Sequence, residues 1–132
     1  MKIVVNGVFD LLHPGHLELL RKARSYPHSY VLVLINSDRS VRERKGPSRP
    51  IISELDRALM LWSSRWVDRV EIFDTEEELA QMIRDFAPDV MIKGADYRGT
   101  DIVGSEYCEQ IDFVEINDKY STTKLIERIA NR

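Results

Sequence analysis

The residues best suited to chemistry stand together in one short stretch, NGVFDLLHPGH, which runs from Asn6 to His16. His13 and His16 lie three residues apart around Pro14-Gly15, where an apolar run gives way to a helical pattern. Both rings can therefore point at one ligand near the start of that helix. Imidazole N–H groups donate hydrogen bonds to phosphate oxygens, and free backbone N–H groups at a helix start attract anions. The stretch favours a phosphate site.

Two other interpretations of the histidine pair stay open on these residues alone. The pair can bind a metal ion, or both rings can be solvated in a loop. Zinc is disfavoured because no third histidine or cysteine stands nearby to complete its ligand set. Gly7 supports the phosphate interpretation, since a residue without a side chain lets a ligand approach the backbone closely.

Short apolar runs alternate with helical patterns along the chain. Five runs are predicted as strands, and these are Lys2–Asn6, Tyr30–Asn36, Arg69–Phe73, Asp89–Gly94 and Ile111–Ile116. Helices are predicted over His16–Ala23, from Ser53 to about Trp62, over Thr75–Phe86, and from about Thr122 to Ile129. Capping boxes are predicted at Ser53/Asp56 and at Thr75/Glu78.

This alternation predicts an α/β fold, a Rossmann-like doubly wound parallel sheet of about five strands with helices on both faces. A length of 132 residues fits a single domain, 1–132. Ligands of such sheets bind beyond the carboxyl ends of the strands. Four polar loops follow predicted strands and should open together at that edge, over residues 7–16, 37–50, 94–104 and 117–123.

Composition narrows the function classes. A net charge of −3, mixed along the chain, gives no reason to expect nucleic acid or a membrane surface as partner. Cys108 is the single cysteine, which excludes an intramolecular disulfide and a Cys-rich zinc site. The sequence shows neither a signal peptide nor a membrane-spanning stretch, so we expect a cytoplasmic protein.

Two motifs together resemble a known family. GVFDLLHPGH carries the H-x-G-H signature of the nucleotidyltransferase (cytidylyltransferase-like) superfamily. YSTTKLIERI, from Tyr120 to Ile129, is similar to the second signature of that superfamily, at the start of its final helix. The resemblance implies transfer of a nucleoside monophosphate from a nucleoside triphosphate to a small phosphorylated acceptor, with release of pyrophosphate.

Longer stretches resemble one branch, the adenylyltransferase domains of ADP-heptose synthases. These stretches are NGVFDLLHPGH, INSDRSVRERKGPSRPI, VMIKGADYRGTDIVGSE and STTKLIERI. That branch implies ATP and D-glycero-β-D-manno-heptose 1-phosphate as substrates. The first and last motifs are equally similar to glycerol-3-phosphate cytidylyltransferases, which use CTP, but Lys119 precedes the S-T-T segment where an arginine is typical of those enzymes. A nucleotide-binding module without catalysis is the third interpretation.

The resemblance also implies roles for single residues. His13 and His16 would bind the triphosphate, with His16 at the α-phosphate in the transition state, and Lys45 in a flexible loop would bridge the reacting phosphates. The other predicted nucleotide-binding residues are Gly7, Val8 and Phe9 through their backbone N–H groups, Lys93, Gly94 and Asp96 beside the nucleoside, and Ser121, Thr122 and Thr123 at the β- and γ-phosphates.

Several residues keep two interpretations. Asp10 either turns toward the metal of the acceptor phosphate or caps the next helix, and Arg49 and Arg57 either bind substrate or are surface charges.

Mg²⁺ is expected with the triphosphate, held by phosphates and water rather than by a protein-built site. A homodimer is expected. The residues Leu59, Met60, Trp62 and Trp66 match helical core spacing and are either buried or face a partner subunit.

Overall fold

The computed structural model describes residues 1–132 and contains five strands. They are β1 (Lys2–Gly7), β2 (Tyr30–Asn36), β3 (Arg69–Phe73), β4 (Val90–Gly94) and β5 (Gln110–Val114). All neighbouring strands are parallel, in the order β3-β2-β1-β4-β5. Ile3, Val4 and Val5 of β1 are fully buried, because a central parallel strand is covered on both faces.

Five helices follow the strands or connect them. They are α1 (Pro14–Arg24), α2 (Asp38–Lys45), α3 (Glu54–Trp62), α4 (Glu76–Phe86) and α5 (Thr122–Ala130). Residues of α1 and α3 pack with one face of the sheet, and residues of α4 pack with the other. The predicted Rossmann-like α/β fold with helices on both faces is confirmed. None of these helices has the length and apolar character needed to cross a bilayer.

The strand order reverses between β1 and β4, where chain connections leave the sheet in opposite directions. A crevice forms at such a switch point, beyond the carboxyl ends of the two strands. Here those ends are Gly7 of β1 and Gly94 of β4. The loops predicted at this edge follow β1, β2, β4 and β5, so the fold brings them to one side of the sheet.

The segment between β2 and α3 differs from the prediction of a continuous polar loop. Residues 38–45 form α2, whose N-cap Ser37 accepts a hydrogen bond from the N–H of Ser40 at 3.1 Å. Only Ser40 and Val41 of this helix are buried, so no apolar periodicity indicated it. Lys45 is therefore the last residue of a helix rather than part of a flexible loop.

Of the two interpretations of the apolar residues on and after α3, burial in the core is wrong for three of the four residues. Leu61 is fully buried, whereas Leu59 and Trp62 are 66% and 56% exposed, and Met60 is also exposed. Five apolar residues in succession (58–62) cover more than a full turn, so their spacing did not determine which side meets the core. Trp66 lies beyond the helix and packs against the core.

The two predicted capping boxes are only partly formed. The hydroxyl of Thr75 accepts from the N–H of Glu78 at 3.1 Å, but the Glu78 carboxylate accepts from the backbone of Asp74. Ser53 is the N-cap of α3, yet its hydroxyl donates to the Asp56 carboxylate and makes no bond to the helix backbone. The helix starts are confirmed, and the reciprocal hydrogen bonds are not.

Gly104 is the glycine with the least room for a side chain. Its φ is +82°, and a Cβ there would lie 2.5 Å from Cδ1 of the buried Ile83. We expect Gly104→Ala to lower the free energy of unfolding by about 2–3 kcal/mol, through positive-φ strain and a clash in the core. Urea denaturation measures the loss.

Gly99 provides the matched control for that substitution. Its φ is +77°, but no atom lies within 4 Å of the position that a Cβ would take there. Gly99→Ala should therefore lose only the backbone part, about 1 kcal/mol. Equal losses at both positions would contradict the packing of Gly104 against Ile83.

Candidate nucleotide site

Two neighbouring cavities open at the carboxyl edge of the sheet. The histidine cavity, of about 610 Å³, is lined by His13 and His16, by the end of β4 and by the start of α5. The second cavity, of about 530 Å³, lies toward β2 and β3 beneath α2 and the segment 101–103. The residues common to both are Asn6, Gly7, Val8, Lys93 and Tyr97.

The histidine cavity gathers most of the residues singled out from the sequence. Those that line it are Gly7, Val8, Phe9, Asp10, His13, His16, Lys45, Lys93, Gly94, Asp96, Ser121, Thr122 and Thr123. The substrate-binding candidates Arg49 and Arg57 do not line it. Residues from opposite ends of the chain therefore meet in one place, as the shared sheet edge predicted.

His13 and His16 form a capping box at the start of α1. Nδ1 of His13 accepts from the N–H of Gly15 at 3.1 Å, and Nδ1 of His16 accepts from the N–H of His13 at 3.2 Å. The two rings are stacked with their centroids 3.8 Å apart. Because an imidazole nitrogen that accepts carries no proton, each neutral ring has its proton on Nε2. The fold thus presents two N–H donors from the histidine pair.

Both imidazoles are neutral at physiological pH. Burial lowers the pKa of His13, and burial together with the charge of neighbouring His13 lowers the pKa of His16 to about 3. A doubly protonated pair would place two positive charges within one stack and would break both Nδ1 bonds. An anion bound beside these rings would therefore receive hydrogen bonds rather than imidazolium charge.

The glycine between the histidines is required by the same arrangement. A Cβ on Gly15 would lie 2.9 Å from Cε1 of His13 and 3.1 Å from Cγ2 of Ile116. Any larger residue would push the His13 ring away from the backbone N–H that it accepts. The spacing H-x-G-H thus follows from local packing as well as from chemistry.

The backbone N–H groups at the start of α1 do not provide the predicted anion site. Pro14 has no N–H, Gly15 donates to the His13 ring, and His16 donates to the His13 carbonyl at 3.0 Å. The backbone N–H groups without a hydrogen-bond partner lie elsewhere in the cavity. Two are those of Val8 and Phe9 after β1. The other two are those of Thr122 and Thr123 in the first turn of α5.

The start of α5 faces the histidines across the cavity. Ser121 is its N-cap and accepts from the N–H of Lys124 at 3.0 Å. The Thr122 hydroxyl donates to the carbonyl of Asp10 at 2.6 Å, which fixes α5 to the loop after β1. Capping and anion binding are compatible here, because the first N–H groups of the helix remain free.

Comparison with known proteins agrees with this geometry. The family model described as cytidylyltransferase-like matches residues 4–128. The chain belongs to the cytidylyltransferase-like family. The resemblance inferred from the two motifs is confirmed, and the H-x-G-H and S-T-T segments lie within the match.

Relatives of this cytidylyltransferase-like chain include the bifunctional protein HldE of several bacteria. The chain is 45% identical to HldE of Campylobacter curvus (strain 525.92) over 129 residues, which are 98% of this chain and 27% of that protein. It is 48% identical to HldE of Koribacter versatilis (strain Ellin345) over 130 residues, 96% of this chain and 26% of that protein. The chain spans about a quarter of the length of these relatives.

A solved structure shares the fold. The lipopolysaccharide core biosynthesis protein from Thermoplasma volcanium GSS1 superposes with a TM-score of 0.69 at 24% sequence identity. The superposition covers 92% of this chain and 98% of the other. At this identity the likeness shows the fold alone.

Asp10 does not cap the next helix, which was one of its two predicted roles. It is 2% exposed, and its two carboxylate oxygens accept from the N–H groups of Ile51 and Ile52 at 2.7 and 3.0 Å. It therefore joins the loop after β1 to the segment before α3 and does not cap α1, whereas its predicted role toward a metal of the acceptor phosphate stays a prediction.

Arg57 is also a structural residue. Its side chain is fully buried, and it donates to the carbonyls of Val8 and Ile52 at 2.8 Å and to the Asp38 carboxylate at 2.9 Å. Through these bonds Arg57, which lies on α3, joins the loop after β1 to the start of α2 and to the segment before α3. We therefore assign it to the support of the site in place of the predicted substrate contact or surface charge.

The remaining basic residues are placed at the rim. Lys45 ends α2 and lines the histidine cavity. Arg49 donates to the Thr123 hydroxyl at 3.2 Å, and thus stands beside the start of α5 without lining the cavity. Arg49 therefore lies next to the first turn of α5, and Lys45 lies on the wall of the cavity that α5 also lines.

Three polar residues at this edge were not singled out from the sequence. Asn6 is the last residue but one of β1 and Asn36 is the last residue of β2, and Asn6 Oδ1 is buried without a hydrogen-bond partner. Arg44 of α2 lines the second cavity. An asparagine at the end of an otherwise apolar strand was the available signal, since it cannot be buried there without a polar purpose.

The histidine pair gives the folding equilibrium a pH dependence. The pKa of His16 is about 3 in the folded chain against 6.5 for a free histidine, so between these values the unfolded state binds more protons. Stability should therefore fall as the pH is lowered through this range. We expect the wild type to lose about 1–2 kcal/mol more than His16→Gln between about pH 6.5 and 5, measured by urea denaturation.

Glutamine is the matched substitution because its side-chain oxygen can still accept from the N–H of His13, as in an ordinary capping box. Equal acid losses in the two proteins would contradict a buried, neutral His16.

Proposed function

We propose that this chain transfers AMP from ATP to D-glycero-β-D-manno-heptose 1-phosphate, with release of pyrophosphate and formation of ADP-heptose. The observation that carries the proposal is the neutral histidine pair facing the free start of α5 across one cavity. Membership of the cytidylyltransferase-like family and the similarity to HldE along nearly the whole chain support it.

The proposed reaction is a single displacement. A phosphate oxygen of the acceptor attacks the α-phosphorus, and the bond from that phosphorus to the oxygen bridging to the β-phosphate breaks. Pyrophosphate leaves with that bonding electron pair. A phosphate monoester has its second pKa near about 6, so the acceptor is already a nucleophilic dianion at neutral pH. No general base is needed, which agrees with histidines arranged as donors.

The protein's part is to hold the phosphates and to stabilise the charge that develops on them. In the proposal, Nε2–H of His16 binds the α-phosphate, and His13 and the N–H groups of Val8 and Phe9 bind next to it. The start of α5 holds the β- and γ-phosphates that leave. Lys45 and Arg49 stand at the rim of this position and add positive charge.

Mg²⁺ is proposed to arrive with the triphosphate. When bound, it neutralises charge on the phosphate oxygens. No group of three or more histidine, cysteine, aspartate or glutamate side chains converges to hold a metal ion. A site with so few converging ligands fits an ion carried mainly by phosphate oxygens and water.

The substrates are tested by following pyrophosphate release with Mg²⁺ and each pairing of ATP or CTP with heptose 1-phosphate or glycerol 3-phosphate. We expect release with ATP and heptose 1-phosphate, at a kcat/KM at least about tenfold above every other pairing. Preference for CTP and glycerol 3-phosphate would replace the proposal by the cytidylyltransferase alternative. Nucleotide binding without release from any pairing would favour a non-catalytic module.

We also propose that the chain forms a homodimer. The exposed apolar side chains of Leu55, Leu59 and Trp62 on α3 support self-association, because such a surface gains stability when it is covered. The predicted cytoplasmic location, and the predicted independence from nucleic acid and membrane, stay predictions.

A further inference from the structure

We infer that Ile116 is a positioning residue, whose branched side chain sets the spacing between the His13 ring and the Asp96 carboxylate in the histidine cavity. The inference rests on the proposed function, in which His13 binds next to the α-phosphate, and on the predicted place of Asp96 beside the nucleoside. It adds a residue that acts on the nucleotide only through its neighbours.

Ile116 lies on the wall of the histidine cavity rather than in the core. The strand β5 ends at Val114, and Ile116 follows two residues later, partly exposed. It lines the cavity and belongs to neither of the two clusters of apolar side chains that pack on the faces of the sheet. Its side chain therefore shapes the site more than it stabilises the core.

One end of the Ile116 side chain lies against the start of α1. The Cγ2 methyl group and the His13 ring close on the same point above Gly15, where a Cβ would lie 3.1 Å from Cγ2 and 2.9 Å from Cε1 of the ring. His16 stacks on the face of that ring, with the centroids 3.8 Å apart. The methyl group thus bounds the ring at Cε1, the carbon bonded to the donor nitrogen Nε2.

The other end of the Ile116 side chain lies against the end of β4. A Cβ on Gly94 would lie 3.2 Å from Cδ1 of Ile116 and 2.7 Å from Oδ1 of Asp96. Gly94 is the last residue of a strand that is buried throughout, so this contact is made against a fixed surface. Ile116 therefore spans the gap between α1 and β4, with the His13 ring at one end and the Asp96 carboxylate at the other.

The shape of isoleucine suits a spacer of this kind. Branching at Cβ restricts rotation about χ1, so the two ends of the side chain keep a fixed separation. A nucleotide that contacts both His13 and Asp96 needs these groups at one distance, although they come from different elements. Misplacement of a reacting group by about 1 Å can lower a rate by about 10²-fold.

Two conservative substitutions separate the two contacts. Ile116→Val keeps the methyl group at Gly15 and removes Cδ1 at Gly94, so we expect the KM for ATP to rise by about fivefold or more with kcat changed less than about twofold. Ile116→Leu keeps the reach of Cδ1 and removes the Cβ branch at Gly15. It should lower kcat by about tenfold, with the KM for ATP changed less than about threefold.

Ile111 provides the matched control on the same strand. It is also partly buried, but it packs against the core cluster and lines neither cavity. Ile111→Val and Ile111→Leu change the same atoms and should leave kcat and both KM values of the folded protein unchanged. Kinetic changes of equal size at positions 111 and 116 would contradict a positioning role for Ile116.

The imidazole ¹⁵N chemical shifts test the ring position without any substrate. At about pH 8.5, where imidazoles are neutral, we expect His13 of the wild type and of Ile116→Val to show the single Nε2–H tautomer. Ile116→Leu should give a mixture of tautomers at His13, because the ring can leave the Gly15 N–H. His28 is exposed and its ring makes no hydrogen bond, so it serves as the internal reference.

The two measurements separate the inference from the proposed function. A tautomer mixture at His13 in Ile116→Leu, without pyrophosphate release by the wild type, would sustain the positioning role and reject the proposed reaction. Release by the wild type, with His13 unchanged in Ile116→Leu, would sustain the reaction and overturn the inference. An unchanged His13 in Ile116→Leu without release by the wild type would reject both.

Discussion

Replacing His16 with alanine is expected to lower kcat for pyrophosphate release by about 10²- to 10³-fold while most of the protein stays folded. The reason is that Nε2–H of His16 is a donor held in place before the reaction by its Nδ1 bond to the N–H of His13. Loss of one fixed donor to a developing oxyanion has effects of this size. Single-turnover kinetics on the folded protein would measure the change.

Stability and catalysis are separated by a second variant. His16→Ala also removes an accepting group from the capping box, so it should cost about 1 kcal/mol of unfolding free energy. His16→Gln keeps an acceptor for that N–H and should recover most of the loss. Its kcat should stay at least about tenfold below that of the wild type, because an amide does not reproduce the position of Nε2–H. Wild-type kcat per folded molecule in His16→Ala would refute the assignment.

Replacing Arg57 with methionine is expected to lower the free energy of unfolding by about 3–5 kcal/mol. The guanidinium is fully buried and donates to two carbonyls and to Asp38. Removing it leaves three acceptors without their donors, one of them a partly buried carboxylate, and breaking a buried pair has effects of this size. Urea denaturation monitored by tryptophan fluorescence would give the value.

The matched control is Arg42→Met, an exposed arginine on α2 that makes no ion pair. It should change the free energy of unfolding by less than about 0.5 kcal/mol. Similar small losses in both variants would show that Arg57 is not the support of the loop after β1 that its hydrogen bonds indicate.

Local patterns in the sequence correctly predicted the strands and helices that position the site. In runs such as YVLVLIN the residues of both strand faces are apolar, which is typical of a parallel strand covered on both faces. The strand β2 has the bounds predicted from this run. Parallel strands place their following loops at one edge, so the meeting of His16 with Ser121 was predicted without any contact being known. Ser121 is the N-cap of α5, directly before the helix start predicted near Thr122.

Contacts between distant segments could not be predicted from the sequence. The partners of Asp10 are the N–H groups of Ile51 and Ile52, some forty residues away, and nothing in the local pattern marks them. Arg57 sits in a helix whose apolar residues surround it on several sides, so its burial depended on tertiary packing. The second cavity was missed for the same reason, since α2 lacks an apolar face and was predicted as loop.

The tautomers of the histidines show that a sequence pattern can leave even a local contact undetermined. Spacing alone placed both rings near one ligand, but only the Nδ1 contacts with the backbone show which nitrogen donates. The same contacts use up the N–H groups of α1 that a helix start was expected to offer. In the proposed function the donors to phosphate are therefore the rings themselves, the N–H groups of Val8 and Phe9, and the start of α5.

Transfer of labelled phosphorus tests the proposed reaction most directly. The protein would be incubated with Mg²⁺, heptose 1-phosphate and ATP labelled with ³²P at either the α- or the γ-phosphate. Nucleotidyl transfer predicts that the α-label enters the sugar nucleotide and that the γ-label is released as pyrophosphate. Entry of the γ-label into the sugar, or the absence of any labelled sugar product from α-labelled ATP, would contradict it.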